Sequence, residues 1–318
     1  MFDSILELIE KYDSIVIFGH KNPDGDCYGS SVALKATLSI KYPEKKIYIA
    51  GSGLPKFFDS LMPVDKISDE TIRESLALLV DMNDLERSED QRIFYAKAFA
   101  KIDHHVDTGS FTEGPQVVIE EANSTCDIVT TFIQEQHLPI NSTIASALYL
   151  GILTDSGRFQ FVIDYPNTYD KVAYLCRNGA KPGFINKILS ITSEKELDSR
   201  AYVLSHYQKT PNGVLYIKFP KEVLRSLKLS ANSASGLINL IGNVEGYPIW
   251  ASFAEYEDGK VRMEVRSNGP AVQPIAHSIG GGGHRNASGA TMPSFDDKEI
   301  GDFVAKLDAA AKEYKEGK

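Results

Sequence analysis

Apolar positions along the first half of the chain come in short solid runs, and amphipathic stretches separate them. Ser14 to Phe18 is β-branched and apolar and predicts a strand. Gly29 to Ile40 follows with helical periodicity. Lys46 to Ala50, Leu76 to Val80 and Ala98 to Ile102 predict three more strands, and Val117 to Ile119 a fifth. Met1 to Asp13 is helical in pattern. Further helices are predicted over Ser124 to Gln136 and Thr143 to Leu153, with Pro139 between them. Ser124-Thr125-Cys126-Asp127 has capping-box spacing, with Asp in place of the usual Glu or Gln. Strands alternating with helices imply βαβ units. The expected fold class is α/β, a mostly parallel sheet with flanking helices.

The pattern changes between residues 190 and 210. Ser193 to Tyr207 is a polar helix, and Thr210-Pro211-Asn212-Gly213 is a turn. Val214 to Phe219 then predicts a strand. Tyr247 to Tyr256 and Lys260 to Arg266 flank Glu257-Asp258-Gly259 as a hairpin, and Phe295 to Tyr314 is a closing helix. The expected organisation is a catalytic domain over 1–190, a helical linker over 191–210 and a smaller α+β domain over 211–318. A length of 318 residues suits two domains.

Composition narrows the function classes. The net charge of −9 speaks against a binder of long duplexes, which carries a basic footprint. The apolar runs are too short to span a bilayer, and the N-terminus has no basic segment or cleavage site. Cys27, Cys126 and Cys176 are far apart and form no Cys-x-x-Cys pair, which predicts a reduced, cytoplasmic setting and no structural zinc.

The candidate chemistry lies where predicted elements end. His20-Lys21-Asn22-Pro23-Asp24-Gly25-Asp26 follows the first strand. Asp81 closes Leu76 to Val80, Asp103-His104-His105 closes the next run, and Asp155 ends Gly151-Ile152-Leu153-Thr154. In a parallel sheet such ends converge on one edge. So many carboxylates cannot share a site without cations. Aspartate with imidazole suits Mn²⁺, Fe²⁺, Co²⁺ or Zn²⁺ better than Ca²⁺. His20 and Asp24 can reach one ion, Asp155 completes a second, and Asp81 is placed to bridge a pair about 3.5–4 Å apart. Gly25 is expected to let a tight loop aim Asp24 and Asp26 to one side. A lone strand-end Asp is ordinarily a turn residue, whereas three candidate ligands within seven residues is a sharper signal. Cys27, beside this loop, is read as a packing residue. Gly51-Ser52-Gly53 lacks any P-loop or dinucleotide fingerprint.

With these four motifs in order, the chain resembles the DHH phosphoesterase superfamily. In the second domain, Gly280 to Gly289 resembles the glycine-rich signature of the DHH-associated domain, and Val265-Arg266-Ser267 its substrate strand. The pairing resembles the bacterial nanoRNase branch, NrnA-type. The resemblance implies that His20 and Asp24 bind one ion, Asp26, His104 and Asp155 the other, and that Asp81 bridges. It implies His105 as acid or stabiliser at the scissile phosphate and Asp103 as its orienter. It implies Arg266, Ser267, Gly282, Gly283 and His284 as substrate contacts. The implied cofactor is two Mn²⁺, with Mg²⁺ or Co²⁺ as substitutes. The implied substrates are short RNA oligonucleotides and small nucleotides such as pAp, pApA or c-di-AMP, with no membrane partner. Oligomeric state is left open, a homodimer included.

Rival readings are a catalytically silent nucleotide-binding or RNA-binding module, an inorganic pyrophosphatase and a RecJ-like exonuclease. The complete ligand set argues against the first, and no strongly basic C-terminal motif supports the second. The chain has no room for the third's further binding domains.

Overall fold

The computed structural model describes residues 1–51, 63–107 and 109–317. Ser52 and Gly53 of the glycine loop considered above lie outside the described residues. The chain divides into two compact units, Met1–Ile191 and Thr192–Lys318.

In the first unit α1 (Asp3–Lys11) leads into β1 (Ser14–Phe18), α2 (Gly25–Lys41) and β2 (Lys46–Ile49). Then come α3 (Asp69–Glu74), β3 (Leu76–Val80), β4 (Ala98–Asp103) and β5 (Gln116–Val118). Four helices follow: α4 (Thr125–Glu135), α5 (Ser142–Asp155), α6 (Tyr165–Arg177) and α7 (Pro182–Leu189). Among the described residues the sheet runs β2-β1-β3-β4-β5, and every pairing is parallel. Phe18 pairs with Leu79, and Val80 with Ile102. His20, Asp81 and Asp103 therefore leave the sheet at the same edge.

Both faces of the sheet are buried, which is why its strands read as solid apolar runs. Ile15, Ile17, Leu76, Leu78 and Val80 face a core built with α2, α4 and α5. Val16, Phe18, Ala77 and Leu79 face a second core with Ile67, Ile72, Ile93 and Phe111. Helix α5 is buried from Ile144 to Leu153, as expected of a helix that is apolar all round.

The second unit contains α8 (Glu194–His206), β6 (Gln208–Lys209), β7 (Val214–Phe219), α9 (Lys221–Ser226) and α10 (Ala231–Ser235). It continues through β8 (Ile249–Glu255), β9 (Val261–Ser267), α11 (Gln273–His277), β10 (Gly282–His284), β11 (Ala287–Met292) and α12 (Asp297–Glu316). Its sheet is mixed, ordered β10-β11-β9-β8-β7-β6 among the described residues. The expected hairpin is the antiparallel pair β8–β9. Val203 of α8 lies in the core that covers one face of this sheet, and Phe303 and Leu307 of α12 in the core on the other.

Among the departures from the expectations, two lie in the first unit. Helix α2 begins at Gly25, not Gly29, because Asp24 caps it by accepting from the backbone N–H groups of Asp26 and Cys27. Helices α6 and α7 were not expected. Only Thr168 and Leu175 are buried in α6 and only Ile185 in α7, so neither carries a strong apolar stripe.

The core assignment has a direct test. Leu78 is fully buried mid-sheet whereas Ile40 is 49% exposed. Leu78→Ala should cost about 2–5 kcal/mol in chemical denaturation, and Ile40→Ala less than about 0.5 kcal/mol. Equal losses would contradict the placement.

Candidate active site

Four segments of the first unit bring their polar ends together at the sheet edge. His20 lies two residues beyond β1, and a single backbone bridge to Ser88 holds it there. Its Nδ1 is 2.9 Å from the Lys21 carbonyl oxygen, the position of a donated N–H. That leaves Nε2 as the nitrogen that faces the carboxylates, 3.3 Å from Asp81 Oδ2 and 3.8 Å from Asp24 Oδ1, and able to meet a cation once deprotonated. A backbone carbonyl fixing one ring nitrogen is the usual way to aim the other at a cation.

Asp81 follows β3 with φ of +58°, a left-handed conformation that Asp tolerates better than most residues. The side chain is buried and its two oxygens face different histidines. Oδ2 faces His20, while Oδ1 lies 3.5 Å from His104 Nε2 and 3.7 Å from His105 Nδ1. Asp103, the last residue of β4, is fully buried. Its Oδ1 accepts from the His104 backbone N–H at 2.9 Å and lies 2.8 Å from His105 Nδ1. His105 therefore has one nitrogen committed to Asp103. His104 instead turns Nε2 toward Asp155 Oδ2 at 3.3 Å and Asp26 Oδ2 at 3.9 Å.

The expected tight loop at Gly25 is not how Asp24 and Asp26 are placed. Asp24 is a helix cap and Asp26 lies in the first turn of α2. Gly25 is required for close packing, since a Cβ there would lie 2.3 Å from Thr154 Oγ1 of α5. Asp155 is the last residue of α5, at the end of the helix expected over Thr143 to Leu153.

One contributor was missed in the sequence. The N-terminus of α4 points at Asp26, whose Oδ2 and Oδ1 accept from the backbone N–H groups of Thr125 at 2.6 Å and Cys126 at 2.8 Å. The Thr125 hydroxyl donates to Asp81 Oδ1 at 3.2 Å. The positive end of the helix thus offsets a buried carboxylate. Ser124 was legible as a cap, and its Oγ does accept from Asp127 N–H. Nothing local says that the same turn serves a carboxylate 99 residues away.

The result is three overlapping donor groups: His20, Cys27 and Asp81; Asp81, His104 and His105; and Asp26, His104 and Asp155. Within each, the donor atoms lie within 4.8 Å of one another. Every ion-pair partner of Asp24, Asp26, Asp81, Asp103 and Asp155 among the described residues is a histidine. Asp103 Oδ2 is buried with no hydrogen-bond partner. A carboxylate–imidazole set with no Lys or Arg to balance it fits divalent cations.

The protonation pattern follows from this crowding. Burial, then the charges of Asp81 and Asp155, push the Asp26 carboxyl well above its ordinary range. Burial, with Asp81 and Asp24, raises Asp155 to about 6 against the pull of His104. Burial opposes protonation of His104, but Asp81, Asp26 and Asp155 outweigh it and raise the ring to about 9. His20 is likewise raised, burial being outweighed by Asp24 and Asp81. Hydrogen bonds from His104 and His20 hold Asp81 low in spite of its burial.

The remaining expected residues lie in the second unit. Arg266 Nη1 is 2.9 Å from Glu264 Oε2 and 3.0 Å from the Val265 carbonyl oxygen. The buried Ser267 hydroxyl donates to the Pro270 carbonyl at 2.6 Å and accepts from Asn286 Nδ2 at 2.7 Å. Gly282, Gly283 and His284 form β10, at the edge of the sheet, with His284 exposed.

These shifts set a pH dependence for the cation-free protein. Asp155, Asp26, His104 and His20 all bind protons more tightly folded than unfolded, so stability falls as pH rises. The His104 contribution is complete below 6.5 and gone above about 9. The Asp155 contribution falls away from 3.8 and levels off beyond about 6. Asp81 acts in the opposite sense, only at acid below 3.8. In chelator, the melting temperature should fall from about pH 4 to about pH 9, and added divalent cation should flatten the fall. A cation-free melting temperature that rises over this range would contradict the crowding.

Known proteins match this architecture along its length. The DHH family N-terminal domain matches residues 14–152, and the DHHA1 domain matches residues 214–313. The chain is 32% identical over 306 residues to the bifunctional oligoribonuclease and PAP phosphatase NrnA of Mycoplasma genitalium, covering 94% of each chain. It is 30% identical over 325 residues to the protein of the same name from Bacillus subtilis, covering 99% of this chain and 100% of the relative. Among solved structures, an exopolyphosphatase-related protein from Bacteroides fragilis superposes with a TM-score of 0.81 at 23% identity. That match covers 98% of this chain and 95% of the other, and at such identity it speaks to the fold alone. With both domains matched in order and NrnA proteins aligned nearly end to end, the chain belongs to the DHH family, in its DHHA1-bearing NrnA branch.

Proposed function

We propose that this chain is a phosphoric ester hydrolase that degrades very short oligoribonucleotides and pAp to mononucleotides. The observation that carries the reading is the placement of Asp81, one oxygen toward His20 and the other toward His104, in a chain related end to end to NrnA proteins. The chain lacks any helix, among the described residues, long and apolar enough to cross a membrane. The free cysteines fit a cytoplasmic setting.

In this reading His20 and Asp24 would hold one divalent cation and Asp26, His104 and Asp155 a second, with Asp81 placed to serve both. A bound pair of divalent cations supplies Lewis-acid stabilisation of phosphoryl oxygens and a water nucleophile at neutral pH. We assign these ions as Mn²⁺, with Mg²⁺ or Co²⁺ able to substitute. His105, held through Nδ1 by Asp103, keeps Nε2 for the phosphoryl group, as proton donor or as electrostatic stabiliser. Asp103 is its positioning residue. The N–H groups of Thr125 and Cys126 fix the Asp26 carboxylate and so remove its rotational freedom. In the second unit, Arg266 and His284 supply the cationic and donor groups for a substrate phosphate or terminal nucleotide. Gly282 and Gly283 give it a close backbone approach. Ser267 contributes by anchoring the turn that follows Arg266.

A product time course on pAp, pApA, c-di-AMP, RNA dinucleotides and RNA of about twenty nucleotides, followed by chromatography with Mn²⁺, tests the reading. Mononucleotides should form from the short substrates and only slowly from the long one, because an acidic chain offers no basic track for a long strand. Equal rates on the dinucleotide and the long RNA would refute the length preference, and no turnover on any of them would refute the enzyme.

The residue roles are separable. Asp81→Ala should lose nearly all turnover with its circular dichroism unchanged. His105→Ala should keep its metal content and lose about 10²–10³ in kcat, whereas His104→Ala should lose metal as well. Elemental analysis with the opposite pattern would exchange the two histidines' roles.

A further inference from the structure

Cys27 sits on the first turn of α2, directly after Asp26, and is 1% exposed. A buried free cysteine is ordinarily a small hydrophobe in a core. The environment of this one differs. Its Sγ occupies the space a side chain at Gly19 would fill, 2.2 Å from where a Cβ there would lie. From that position it stands within 4.8 Å of both a His20 ring nitrogen and an Asp81 carboxylate oxygen. These are two of the residues assigned above to the first cation. In a four-coordinate sphere, metal–sulfur bonds of about 2.3 Å and metal–nitrogen or –oxygen bonds of about 2.1 Å put donors roughly 3.6 Å apart. Side-chain shifts of up to roughly 1 Å bring donors that close. Cys126 provides the contrast. It is equally buried and close to Asp26, yet its Sγ lies 3.5 Å from the Asp26 carbonyl oxygen and joins none of the donor groups.

We propose that Cys27 Sγ is a donor to the cation held by His20, Asp24 and Asp81, and that this position therefore takes soft and borderline divalent ions, Zn²⁺, Co²⁺ and Cd²⁺, in preference to Mg²⁺. The inference rests on the two-cation reading and deepens it. With the thiol included, the position offers one sulfur, one nitrogen and two carboxylates, a set that suits four-coordinate zinc or cobalt. The second position, Asp26, His104 and Asp155, offers oxygen and nitrogen only. The two positions thus differ in the class of ion they select. The proton displaced from sulfur on coordination goes to solvent.

The test is a Co²⁺ titration of the metal-free full chain followed by absorption. A sulfur-to-cobalt charge-transfer band should grow in the near ultraviolet together with the visible d–d bands. Cys27→Ala and Cys27→Ser should lose the charge-transfer band, and Cys176→Ser, which changes the exposed cysteine, should keep it. X-ray absorption at the cobalt edge of the unsubstituted protein needs no variant, and should show a sulfur neighbour at about 2.3 Å. Visible bands without a charge-transfer band or a sulfur neighbour would overturn the sulfur donor and leave the two-cation reading standing. A charge-transfer band that survives in both Cys27 variants would also overturn the donor. No cobalt bands at all would overturn both.

Discussion

Negative charge is confined at one edge of the first sheet far beyond what neighbouring side chains neutralise. Asp26, Asp81 and Asp103 are buried, Asp24 and Asp155 complete the ring, and among the described residues only histidines form ion pairs with them. Unpaired buried charge is among the most costly features a fold can carry. Here the cost is met by proton uptake, with Asp26, Asp155 and His104 all raised, and by the N–H groups of α4 turned toward Asp26. Divalent cations would replace those protons. In the two-cation reading the site would be tense when cation-free and relaxed when loaded, a property set by burial more than by any single contact.

The rest of the first unit is arranged to hold that ring in place. A parallel sheet sends the ends of β1, β3 and β4 to one edge, and burial of both its faces leaves the register no freedom to slip. Helices α2 and α5 approach closely enough that Gly25 and Gly151 have no room for side chains. A Cβ at Gly151 would lie 2.6 Å from Asp26 Oδ1 and 2.2 Å from Cys126 Sγ. The position of Asp26 therefore depends on packing between helices as much as on its own turn. The network behind α4 extends the same logic. Asp127 pairs with Lys171 and with Asn123, which also reaches Thr168, tying α6 to the turn that holds Asp26.

Much of this was legible in the sequence because it is local. Solid apolar runs mark strands buried on both faces, and a polar residue just past the end of such a run lands on the shared edge once the sheet is parallel. His20, Asp81 and Asp103-His104-His105 follow from that rule alone. What was not legible is long-range or conformational. The N–H groups of Thr125 and Cys126 meet Asp26 only because α4 packs beside α2. The seven-residue His20 to Asp26 string offered three candidate donors but the wrong local conformation, since Asp24 capping draws the helix start back to Gly25. Cys27 looked like core, and its sulfur is core by exposure, yet the bare Cα of Gly19 admits it beside His20. Helices α6 and α7 bury too few side chains to leave a periodic trace. The second unit's Ser267 read as a substrate contact from its neighbour Arg266, whereas its hydroxyl is spent on the following turn.

The account turns on Asp81 holding two cations close together, and electron paramagnetic resonance of the Mn²⁺-loaded protein measures that most directly. Two ions joined by one carboxylate about 3.5–4 Å apart are exchange-coupled. The prediction is two Mn²⁺ per chain with the spectrum of a coupled pair, collapsing to isolated-ion signals when Asp81 is replaced by Ala. One ion per chain at saturation, or two ions with uncoupled spectra in the unsubstituted protein, would contradict it.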